Sequence, residues 1–187
     1  MAPPATRQQL ADVENRIGRP LPTSLRRIYD VSDGVSPLDG NLMFEPTGVP
    51  NRAGLAEFSD RLREGNWPIP DELLMFASDG SDSNFGLWCP KGETMPDDPP
   101  VVEVGEVFEP ACLALVGTRF SMFLKSRSGY YLVMDAPDEV LDVIEVPEVL
   151  REKEPNALSP FFAWADPDLP DYDPDPYRKG LAAWPAW

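Results

Sequence analysis

Apolar residues recur at helical spacing near the start of the chain, with Leu10, Val13 and Ile17 on one face. Thr6, with Gln9 three residues on, makes a capping pair, and Gly18 is a natural stop. Pro20-Leu21-Pro22 enforces an extended corner. Thr23 or Ser24 then opens a second helix, with Leu25, Ile28 and Tyr29 inward and Gly34 just past its end. A short strand is expected at residues 42–44, and Asn51 is placed to cap a third helix on which Leu55, Phe58 and Leu62 repeat before Gly65. Beyond Gly65 the period shortens from about 3.6 to 2. Residues 73–77 form an apolar run, Ser78-Asp79-Gly80 is turn chemistry, and Phe85, Leu87 and Cys89 alternate onto one face. Residues 101–104 and 111–116 add two more strands. A closing helix is expected from a Thr118 cap, with Phe120, Phe123, Leu124, Tyr131 and Met134 inward and Gly129 as a break point. Helices, then strands, then a helix argue an α+β fold: N-terminal helices, a central antiparallel or mixed sheet and a closing helix.

Charge locates a boundary that the periodicity does not. Residues 1–137 hold 20 acidic and 12 basic side chains, whereas residues 138–187 hold 12 and 4, so each part contributes −8 to the net −16. The second part is also crowded with proline. A folded domain is therefore expected over 1–137, followed over 138–187 by an acidic, mostly irregular C-terminal extension. Phe161, Phe162, Trp164, Tyr172, Tyr177, Trp184 and Trp187 are many aromatics for a solvated linker. They either pack on the domain, the reading adopted, or form a strap that orders on a partner. Arg178 and Lys179 are placed to pair with the acidic body.

Composition removes several function classes. No histidine is present, which excludes Ser-His-Asp triads, Cys-His dyads and His-ligated metal sites. The strong negative charge repels phosphate, so nucleic acid is not an expected partner and a basic protein surface is. No apolar stretch reaches the roughly 20 residues of a membrane span, and residues 1–9 show no secretory signal, so a cytoplasmic protein without membrane contact is expected. Cys89 and Cys112 fall in apolar strand patterns that suit inert buried thiols, and a reducing compartment disfavours a disulfide between them.

The segment PLPTSLRRIYDVSDG at residues 20–34 resembles the Leu-Pro, helix, Gly opening of the Smi/Knr-type SUKH superfamily. LLMFASDGSDSNFGLW at residues 73–88 is similar to that superfamily's central hairpin, and GTRFSMFL at residues 117–124 to its last helix. The likeness covers roughly residues 10–134. It implies a non-enzymatic binding protein: in bacteria often an immunity protein that neutralises a cognate toxin by direct binding, in eukaryotes a regulator of cell wall and signalling. It carries no catalytic residue and no cofactor to transfer.

The residues themselves agree with a binding role. Asp79 and Asp82 share one turn, where local backbone hydrogen bonds explain them better than acid–base catalysis. Asp166, Asp168, Asp171, Asp173 and Asp175 alternate with prolines but lack the glycine and closing glutamate of an EF-hand loop, so no metal site is assigned. Trp67 and Trp88 are the candidate anchors for a partner, with Asp79, Asp82, Glu103 and Glu106 as the neighbouring acids that steer it. Core burial of both tryptophans is the competing assignment; strand alternation puts Trp88 on the face opposite Phe85, Leu87 and Cys89. The expected function is an immunity protein against a basic toxin such as a nuclease. A regulatory scaffold or adaptor is the alternative, and an enzyme with an unfamiliar carboxylate site ranks below both.

Overall fold

The computed structural model describes residues 2–36, 42–48, 54–65, 67, 69–80, 83–89, 94–105, 112–151 and 159–169. Helix α1 (Arg7–Ile17) starts on a Thr6–Gln9 capping box and ends at Gly18, whose φ of 70° is left-handed. Leu10 and Val13 are buried. Helix α2 (Thr23–Tyr29) follows the proline corner and stops five residues short of Gly34. Its start is held from a distance: the Ser24 N–H donates to the Asp97 carbonyl at 2.9 Å, and the Thr23 hydroxyl to the Asp97 carboxylate at 2.7 Å. Helix α3 (Leu55–Glu64) is closed at its start by Glu57 Oε2, which accepts from the Gly54 N–H. The expected cap Asn51 lies outside the described residues.

Five strands form one antiparallel sheet in sequence order: β1 (Met43–Phe44), β2 (Leu73–Ser78), β3 (Ser83–Trp88), β4 (Val101–Gly105) and β5 (Cys112–Gly117). Asp79 closes the β2–β3 turn by accepting from the Ser83 N–H at 3.2 Å. An irregularity in β2 sets Met75 opposite Gly86 and Ala77 opposite Phe85, so Phe76 is the extra residue. Leu74, Phe76 and Ala77 consequently all enter the same core.

That core fills one face of the sheet. It takes Leu10 and Val13 from α1, Leu25 and Tyr29 from α2, and Phe120 and Phe123 from α4 (Phe120–Asp135). Phe76 meets Phe120 and Phe123 edge-on at centroid distances of 5.3 and 6.1 Å, a geometry that adds to area burial. A second cluster occupies the other face, with Phe58 of α3, Ile69, Leu73, Met75, Val102, Val104 and Leu113.

Helix α4 runs unbroken through Gly129. A Cβ on Gly129 would sit 2.4 Å from the Trp164 ring, so the glycine leaves a notch for that indole. The expected cap Thr118 lies one residue outside the helix N-cap, Arg119. Its N–H and hydroxyl both donate to Asp166, at 2.6 and 2.9 Å. The described part of the extension is helical: α5 (Asp138–Val143), a 3₁₀ turn (Glu148–Leu150) and α6 (Ser159–Ala165). Phe161, Phe162 and Asp166 are buried, and Trp164 lies against α4 with Lys125 Nζ 4.6 Å from its ring. Helix α5 ends in a Schellman turn, with the Val146 N–H on Leu141 O and the Glu145 N–H on Asp142 O. Glu145 takes the left-handed conformation there, at φ 58°. Arg178 and Lys179 lie outside the described residues.

Candidate functional site

Both candidate anchors end up on the second face of the sheet. Trp67 follows α3, its N–H donating to Leu62 O at 3.0 Å and its carbonyl accepting from the Ile69 N–H at 2.8 Å. Trp88 ends β3 opposite Leu73, and its N–H donates to Pro100 O at 2.9 Å. Both indoles are half-buried and pack against the cluster of Phe58, Leu73, Met75 and Val102. Burial of part of each ring fixes it, and the remainder is apolar area that a partner can cover.

The acids do not join them at one spot. Asp79 sits at the far end of the β2–β3 hairpin, roughly 20 Å from Trp88 at about 3.4 Å per residue. Its carboxylate supports the turn. Glu103 pairs with Phe85 on one side and Ala114 on the other, which aims it at the face opposite the tryptophans, under α4. There Glu103 Oε1 accepts from the Ser83 hydroxyl at 2.5 Å, and Oε2 lies 3.4 Å from Arg127 Nη2. The Arg127 guanidinium is buried, 4.7 Å from the Phe85 ring centre and 5.9 Å from that of Phe162. Glu103 is thus half of an internal ion pair. Asp82 and Glu106 lie outside the described residues.

The sequence reading had no signal for Arg127 as the partner of Glu103. An arginine on a helix reads as solvated unless its burial is known. Cys89 is buried, as its strand pattern predicted. Among the described residues no group of acids and cysteines is arranged to hold a metal ion, and no helix is long and apolar enough to cross a membrane. Asp166, first of the proline-spaced acids, is committed to Thr118, and Asp171, Asp173 and Asp175 lie outside the described residues.

The sequence model of the SMI1/KNR4 family (SUKH-1) matches residues 4–126, from just before α1 to the middle of α4. The chain belongs to the SMI1/KNR4 family. That family includes immunity proteins and Smi/Knr-type regulators, generally without enzymatic activity. No curated protein matches the chain. The matched SUKH segment holds α1 to α3, the whole sheet and both candidate tryptophans. Helix α5, the 3₁₀ turn and α6 lie beyond it.

Proposed function

We propose that this SUKH protein is a non-enzymatic immunity protein of the bacterial cytoplasm, which neutralises a cognate toxin by binding it directly. The observation that carries the reading is the pairing of two half-buried tryptophans on one sheet face of a molecule with net charge −16. Rigid indoles supply affinity, and the acidic field speeds encounter with a basic partner such as a nuclease domain. Asp79 lies within the span of an ordinary interface patch, about 30 Å across for about 800 Å² per partner. Asp79, Asp82 and Glu106 are assigned to steering. Glu103, engaged with Arg127, is left out of that set.

A tagged chain is used to capture proteins from its native host, with washes at low salt and then at about 0.5 M, where the screening length is only a few ångströms. One basic toxin domain is expected to survive the second wash. Trp67→Ala with Trp88→Ala is expected to weaken its binding at least about 30-fold, since a central aromatic is worth about 2 kcal/mol. Several partners that all wash away favour a regulatory scaffold. Unchanged affinity of the double variant removes this face from the interface.

A further inference from the structure

Among the described residues four large aliphatic side chains are exposed, and three of them, Val140, Val143 and Val149, fall within ten residues of α5 and the 3₁₀ turn, Val140 the least exposed of them. Val143 and Val149 are 81% and 74% exposed. The segment does not lack a core of its own: Leu141 and Val146 are buried with Val133 and Phe161. Its outward valines are therefore displayed from a packed base. The 3₁₀ turn is also tied to α5. Arg151 Nε donates to Val146 O at 2.8 Å, and its Nη1 lies 2.6 Å from Asp142 Oδ1, which clamps the 3₁₀ turn back onto α5.

The surroundings of these valines are of one sign. Asp138, Glu139, Asp142, Glu145 and Glu148 are all exposed, and Arg151 is the only cation between residues 138 and 151. Exposed apolar area beside five carboxylates, of which only Asp142 is paired, through Arg151, fits a partner that brings both aliphatic contacts and positive charge. An anionic lipid surface or a nucleic acid is repelled by those carboxylates. A second copy of the chain would set two such acid sets against each other. We propose that α5 and the 3₁₀ turn form a docking surface for a basic amphipathic helix of a partner protein, with its apolar face on Val140, Val143 and Val149 and its lysines or arginines on the flanking acids. This surface lies outside the residues matched by the family and is separate from the Trp67–Trp88 face, so its test is read without the toxin.

The probe is a synthetic helical peptide of about 18 residues, with leucine on one face and lysine on the other. Titrated into the full chain, it is expected to bind saturably one-to-one, with backbone amide shifts concentrated between residues 140 and 149. Val143→Asp with Val149→Asp is expected to weaken binding about tenfold or more. Val31→Asp, at the remaining exposed valine, is expected to leave it unchanged. Circular dichroism confirms that the variants, altered only at exposed positions, keep the fold. Shifts spread over the whole acidic surface, or equal affinity of the double variant, overturn the proposal. So does a photo-reactive side chain at position 143 that, without peptide, cross-links to residues 170–187 or to a second copy, because the surface is then already covered.

Discussion

Glu103 and Tyr29 show how little a residue's type says before its neighbours are known. Glu103 is an acid in a strand of an acidic protein, yet its register places it between Phe85 and Ala114, facing a buried arginine. Removing one member strands the other charge in a poorly solvated space, so Glu103→Leu is expected to cost about 3 kcal/mol. The double variant Glu103→Leu with Arg127→Met should cost less than the sum of the two single changes, since neither charge is then left alone. Urea unfolding midpoints of the four proteins measure this directly, and additive losses would show that the pair is not coupled. Tyr29 poses the opposite case, a neutral group that must stay neutral. Burial pushes its phenol well above the ordinary value of 10.0, with the nearby charges of Asp33 and Glu45 adding to the effect. The unfolded chain loses this proton near pH 10 while the folded chain keeps it. The contribution is therefore complete below that pH and falls away as pH rises above it. Tyr29→Phe gives up the hydrogen bond to the Glu45 carbonyl, worth about 1 kcal/mol at neutral pH. It is expected to show a shallower decline in unfolding midpoint above about pH 10 than the parent, and parallel declines would remove Tyr29 as the cause.

Elements were legible where their signals are local. The α1 capping box, the Gly18 stop, the β2–β3 turn at Asp79 and the alternation of Phe85, Leu87 and Cys89 all act within a few residues, and each is present in the fold. The misreadings concern starts and interruptions whose partners lie far along the chain. The start of α2 at Thr23 is as expected, with Asp97 holding it from a distance, whereas Asp166, 48 residues on, takes the hydroxyl and N–H of Thr118, the residue expected to cap α4. Gly129, a candidate break point in a helix expected to reach Met134, instead admits Trp164. In an exposed helix, Gly→Ala gains about 1 kcal/mol. Here Gly129→Ala is expected to destabilise the protein by about 1–3 kcal/mol, because the methyl group and the indole cannot share the notch. In a Trp164→Ala background the same change should become stabilising. A thermal or urea series on the four proteins tests that reversal, and a destabilising Gly129→Ala in both backgrounds would place the clash elsewhere. Helices α5 and α6 went unread for a related reason. They are short and flanked by prolines, so propensity gives little support and packing on α4 does the rest.

At the scale of the whole molecule, a net charge of −16 sets the conditions for any partner before a single contact forms. The field favours basic surfaces and is weakened by salt, which is why retention at high salt separates anchored binding from attraction alone. The sequence by itself determined the charge, the absence of histidine chemistry, the family, the order of helices and strands as far as α4, and the shared face of Phe85, Leu87 and Cys89. These follow from composition or from periodicities that repeat within one element. Tertiary structure decided, among the described residues, that Glu103 is engaged internally, which face Trp67 and Trp88 share, and where α6 packs. Glu103 is taken by Arg127, Trp67 and Trp88 are gathered on one face by α3 and the sheet, and Trp164 enters α4 at Gly129. Such pairings join positions far apart along the chain, and their energy comes from burial and fit. Neither leaves a mark on the local pattern from which a sequence is read.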